Sequence, residues 1–160
     1  MASTPKSMFE KFLEYSLLLL ITLVIILVLI QVVSRYVVQL PFIGIEELAR
    51  LVFVWACFLG TGLGVVRGRH ISIDFLMRVF PPGIVDLLSL VTLLMILMIS
   101  AVMVTHGGYF VINRWSFPDY STALMYPRSL FYVPVPVSGA IMFVYTLKQT
   151  FAKLKQLVRF

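Results

Sequence analysis

The feature that most limits what this chain can fold into is the placement of its charges, which leave four long stretches empty. No Asp, Glu, Lys or Arg lies between Glu14 and Arg35, an interval of twenty residues. The next empty interval, Arg50 to Arg67, is sixteen residues long and reaches spanning length if its helix starts near Ile45. The third runs from Asp86 to Arg114, with an apolar part from Leu87 to Thr105, and the fourth runs from Arg128 to Lys148. About 20 residues at a rise of about 1.5 Å cover a hydrocarbon layer of roughly 30 Å. Runs such as Leu17-Leu18-Leu19-Leu20-Ile21 are apolar on every side, whereas a barrel strand alternates. The expected fold is therefore an all-α integral membrane protein with four spans, at about 14–36, 45–66, 86–106 and 129–148, in a single membrane domain.

Composition agrees. Apolar residues make up 61% and charged residues 12%, against roughly 25% charged in an ordinary soluble domain. The net charge of +6 does not point to nucleic acid, because the basic residues flank apolar runs and form no patch. Cys57 is the one cysteine, so no internal disulfide can form, and it reads as a small residue inside a span. The first apolar run is longer than a signal-peptide core and leads through Val32-Val33-Ser34 into Arg35, so it reads as a retained span. With the N-terminus placed inside, nine basic residues fall inside and four (Arg35, Arg50, Arg114, Arg128) outside, which places both termini in the cytoplasm.

The connections have character of their own. Ile71, Phe75 and Val79 repeat at four-residue spacing, with Asp74 and Arg78 on another face and Pro81-Pro82 as a stop. This predicts a short interfacial amphipathic helix at about 71–80, with a soluble loop as the alternative. The basic tail from Lys148 to Phe160 reads as a continuation of the fourth span. The outer segment, about 107–128, is read as a loop. From Tyr109 to Tyr132 the chain has eight aromatic residues in twenty-four, among them Trp115, Phe117, Tyr120 and Tyr126. Either these form an interfacial belt or, with Arg128, a docking surface for a soluble partner.

Few residues invite chemistry. His70 and His106 fall at opposite membrane faces in this topology and cannot share a metal, so no cofactor is expected on this chain. Glu46, Glu47 and Arg50 stand at the head of the second span, in the favourable acid-before-base order. They read as a local ion-pair cluster, as a charged contact to another subunit, or, last, as coupling carboxylates. Ala56, Gly60 and Gly64 form a line of small residues that lets another helix approach. No span has a charged residue at its centre, which a carrier working alone would need.

The stretch from Glu47 through Arg50, Trp55 and Gly60 to Arg67, His70, Ile71 and Asp74 resembles the small, DctQ-like membrane subunit of TRAP transporters, the tripartite ATP-independent periplasmic transporters. Ser121-Thr122-Ala123-Leu124-Met125-Tyr126-Pro127 is similar to a second segment of that family. The resemblance implies a bacterial inner-membrane scaffold with no catalytic or substrate-binding residue of its own. Its partners would be a large elevator-type membrane subunit, which would hold the sodium, and a periplasmic binding protein that delivers a carboxylate such as a sialic acid or a C4-dicarboxylate. Partner-interface candidates are Glu46, Glu47, Arg50, Trp55, Ala56, Gly60, Gly64, Arg67, His70 and Asp74; candidates for docking the binding protein are Trp115, Tyr120, Tyr126 and Arg128. The competing function is an autonomous oligomeric transporter with Glu46 or Glu47 as the coupling group.

Overall fold

The computed structural model describes residues 8–40, 42–67, 82–116, 119–121 and 123–158. They form four long helices: α1 (Met8–Val33), α2 (Ile43–Val66), α3 (Pro82–Ser116) and α4 (Pro134–Val158). Each is long and apolar enough to cross a membrane. In hydrocarbon a helix satisfies its backbone polar groups internally, so these sequences take that form. The outward surface is apolar along its length: within the most apolar stretch of α1 only 6% of residues are buried. A surface of that kind needs lipid or a partner to cover it.

The helix ends have local causes. α1 runs on into a π-helical turn, Ser34–Val38, and stops where Gln39 takes a left-handed φ of 58°. Buried Ser34 donates its Oγ–H to the Leu40 carbonyl there. α4 follows a 3₁₀ turn, Arg128–Phe131, and begins at Pro134, where the missing N–H leaves no helical bond unmade.

The principal contacts run from α1 to α2, α2 to α4 and α4 to α3, so α4 lies between α2 and α3. Neighbouring pairs are antiparallel except α2 and α4. Leu27, Ala49 and Val52 form the buried seam of α1 and α2, flanked by Leu20, Leu23, Val24 and Ile45. α3 and α4 meet at small residues. Ser100 and Ser138 are fully buried there. A Cβ on Gly139 would lie 2.8 Å from the Met103 Cβ.

Polar contacts tie the helices together at the end that carries the termini. Arg67 bridges to Glu10 at 3.2 Å and to Glu14 at 2.8 Å, joining α2 to α1. Lys153 pairs with Asp86 at 2.6 Å, joining α4 to α3. Gln149 donates to the Val65 carbonyl at 3.0 Å, joining α4 to α2.

One boundary differs from the sequence reading. The third helix does not end near residue 106 but continues to Ser116, so Tyr109, Phe110 and Trp115 stand on a helix and not in a loop. Gly107 does not break it: the missing side chain makes room for α4, since a Cβ there would lie 3.1 Å from Val135 Cγ1 and 3.3 Å from Pro136 Cδ. The fourth helix continues unbroken to Val158. The interfacial helix expected at 71–80 lies outside the described residues.

Candidate functional site at the head of the second helix

Charged residues gather where α2 begins, at the end opposite the termini. Glu46 pairs with Arg50 at 3.1 Å across one helical turn, both side chains more than half exposed. Such a pair is worth a few tenths of a kcal/mol in water, about 0.2–0.5. Glu47 does not share Arg50, as its spacing had suggested; it accepts a hydrogen bond from the Ser121 hydroxyl, 74 residues away.

That bond belongs to a folded loop. Ser121, 1% exposed, also accepts the Leu124 N–H at 3.3 Å. The Ser121 N–H donates to the Tyr126 carbonyl at 2.9 Å, and the Arg128 N–H donates to the Asp119 carbonyl at 2.8 Å. Met125 closes the turn with a φ of 56°, an uncommon conformation for a residue with a side chain. Leu124 then lies on Gly44, where a Cβ would stand 3.1 Å from its Cδ2. The loop is thus fastened over the head of α2 by one carboxylate and one apolar contact.

A cleft of about 440 Å³ opens beside it, lined by Ile43, Glu46, Glu47, Arg50, Arg128 and Phe131. Arg128 is held by Asp119 at 3.2 Å, and Arg114 reaches the same carboxylate at 3.9 Å. Tyr126 faces inward, its ring 6.0 Å from that of Phe131 and its hydroxyl buried with no hydrogen-bond partner among the described residues. Loss of hydration, and then the nearby Glu47 carboxylate, raise the Tyr126 phenol above its ordinary range, partly offset by Arg128 and Arg50. Trp115 and Tyr120 are exposed. Of the four residues expected to form an aromatic docking surface, three therefore face outward and Tyr126 supports the loop from within.

The remaining candidates separate. Ala56 is buried, and Ala56 and Gly60 line a groove beside α1. Gly64 faces open space, so the small-residue line is not a single contact surface. Trp55 is half-buried within α2, and Cys57 is exposed. At the other end of α2, Arg67 is kept protonated above its ordinary value, chiefly by its hydrogen bond to Glu14 and further by Glu10, against partial desolvation. His70 and Asp74 lie outside the described residues.

A family profile described as the DctQ component of tripartite ATP-independent periplasmic transporters matches residues 24–156. The chain belongs to this family. A Haemophilus influenzae protein with the provisional name TRAP transporter small permease protein is 29% identical over 134 residues, 82% of this chain and 81% of that one. The sialic acid TRAP transporter small permease protein SiaQ of Vibrio cholerae is 28% identical, over 80% of this chain and 73% of its own. The sialic acid TRAP transporter permease protein SiaT of Haemophilus influenzae is 34% identical over 88 residues, 55% of this chain but 14% of SiaT. This DctQ chain is a multi-pass membrane protein and one component of a tripartite transporter, working with a large membrane subunit and a periplasmic binding protein.

The two stretches that carry the family resemblance meet in the structure. Glu47, in the first, holds Ser121, in the second. Sequence reading put Ser121 in the resemblance but not among the site residues, and a pairing across 74 positions leaves no periodic signal. Glu10 and Glu14 were also passed over. Their four-residue spacing puts both on one face of α1, and Arg67 was the cation in need of acids.

Proposed function

We propose that this DctQ chain is a static scaffold for the transporter. The observation that carries the reading is the distribution of charge across the four spans. No Asp, Glu, Lys, Arg or His occurs between Glu14 and Arg35, Arg50 and Arg67, Asp86 and His106, or Arg128 and Lys148. A carrier moves ions past ionisable groups or broken helices near the midplane. Here the charged contacts lie at the two ends and are spent on holding helices together. Sodium and substrate belong to the large subunit, which moves them in an elevator motion against this fixed partner. The substrate is a carboxylate of the sialic acid or C4-dicarboxylate type; two relatives carry sialic acid in their names.

Both termini are cytoplasmic and the membrane is the bacterial inner membrane, as the excess of basic residues at the terminal end supports. The opposite end, with exposed Trp115, Tyr120 and Arg128, then faces the periplasm and seats the binding protein. Glu46 and Glu47 fit structural work better than ion coupling, since one is paired with Arg50 and the other fastens a loop. Copurification tests the assignment: extracted in mild detergent, the chain should bring a large polytopic subunit with it in fixed proportion. Recovery of a homo-oligomer alone would contradict it.

A further inference from the structure

Charge sets the depth at which α3 stands. Asp86, paired with Lys153 at the terminal end, is the last charged residue before the apolar stretch, and His106 is the next ionisable one. Ionisable side chains keep to the edges of hydrocarbon. Asp86 to Gly107 is about 31 Å of helix, which matches a core of roughly 30 Å. Gly107 also lies against Val135 and Pro136, where α4 begins. The rest of α3, to Ser116, is therefore an overhang of about 13 Å. The headgroup layer takes up roughly 5–8 Å of it. Arg114 and Trp115, about 10–12 Å past Gly107, stand beyond that layer.

The overhang carries a cationic patch with exposed rings at its rim. Arg114 is propped over the Phe110 ring at 5.6 Å, and Phe110 in turn packs edge-on against Tyr132 at 4.8 Å. Arg114 reaches the Asp119 carboxylate at 3.9 Å, but Arg128 holds that carboxylate at 3.2 Å. Two guanidinium groups thus share one carboxylate, which leaves one positive charge over. Trp115 follows Arg114 and Tyr120 follows Asp119, so the bridge between Arg114 and Asp119 brings two exposed rings to the same end, at 63% and 55% exposure. An aromatic belt sits at the level of the headgroups, and Trp115 stands above that level. Trp and Tyr beside an Arg are the residues that anchor protein interfaces. An unbalanced positive charge selects an acidic partner.

We propose that the overhanging end of α3 docks an acidic segment of the soluble binding protein, with Arg114 as the charge contact and Trp115 and Tyr120 as the anchors. The inference rests on the reading that this end faces the periplasm and seats that protein, and it adds the chemistry of the contact. Arg128, committed to Asp119, supports the patch, and Arg114 meets the partner. The occupant comes from water, since the patch stands clear of the bilayer.

The test uses the transporter complex in vesicles with the binding protein added outside. Benzoylphenylalanine at Ile112, 67% exposed on the overhang, should crosslink on illumination to a peptide of the binding protein rich in Asp and Glu. The same probe at exposed Leu154, at the other end of the chain, should not. Trp115→Ala and Arg114→Glu should each raise the binding-protein concentration for half-maximal crosslinking from Ile112 by about tenfold or more. High salt should raise it in the parent and not in Arg114→Glu. Trp115→Ala leaves every charge in place, and copurification of the large subunit shows that each variant is folded. Crosslinks from Ile112 to the large subunit alone, crosslinks to the binding protein from Leu154 instead, or a concentration unmoved by both variants in intact complexes would overturn the proposal. The readout is contact and not transport, so uptake that persisted without this chain would fail the scaffold reading while the crosslinks still decided this one.

Discussion

Gly139→Ala probes the most tightly packed of the described glycines. The added Cβ would lie 2.8 Å from Met103 Cβ, 3.3 Å from the Ser100 carbonyl oxygen and 3.3 Å from Val104 Cγ2. Carbon atoms rest at about 3.5–4.0 Å, so the α3–α4 seam must open by close to 1 Å. The nearest obstacle is a Cβ, which cannot turn aside as a side-chain tip can. Overpacking of this kind costs about 1–3 kcal/mol, and the better helix propensity of Ala returns up to about 1 kcal/mol. The expected net loss is centred near 1 kcal/mol and reaches about 2 kcal/mol if the seam cannot yield. Gly64→Ala is the matched control, because nothing lies within 4 Å of a Cβ there. Reversible unfolding of the isolated chain in mixed micelles, followed by circular dichroism against denaturing detergent, measures both. The reasoning is refuted if Gly139→Ala is as stable as the parent, or if Gly64→Ala is equally damaged.

Arg67→Gln should loosen α1 by removing both bridges to Glu10 and Glu14, at a cost of about 1–3 kcal/mol for partly buried charge-assisted bonds; hydrogen exchange should rise over the first turns of α1 and not in α3. Tyr126→Phe should hold or gain up to about 1 kcal/mol, because the buried hydroxyl has no partner among the described residues. Burial and then Glu47 raise the Tyr126 phenol above its ordinary 10.0, so the parent loses stability relative to Tyr126→Phe as pH rises from about 10 through the raised value, and not below it. Difference titration of phenolate absorbance against Tyr126→Phe should show that late midpoint. Cysteines placed at Ser3 and Gln156 in a Cys57→Ser background should react only with a reagent supplied from the cytoplasm; labelling from the periplasm would reverse the topology.

The spans were legible because charge is costly in hydrocarbon, so its absence over Leu17 to Ile30 or Leu87 to Thr105 marks directly the part of the chain suited to lipid. The end of α3 was not. Gly107-Gly108 and the following aromatic residues look like a loop in one dimension, yet Gly107 serves the packing of α4 and the helix passes through it. The packing order was hidden for a related reason: four uniformly apolar helices carry little record of which faces meet, and the insertion of α4 between α2 and α3 depends on small residues such as Ser100 and Gly139 matching across the seam. Of the candidate site, the Glu46–Arg50 pair could be read from helical spacing. The Glu47–Ser121 bond could not, because a tertiary contact between distant segments has no period.

The central claim is that this chain supports transport without carrying anything itself. Uptake by proteoliposomes under a sodium gradient tests it most directly, with the large subunit, the binding protein and this chain combined or omitted in turn. The account predicts uptake of the carboxylate substrate only when all three are present, and its loss on omission of this chain even though the other two remain folded. Sustained uptake by this chain alone would contradict it, and so would full activity in its absence.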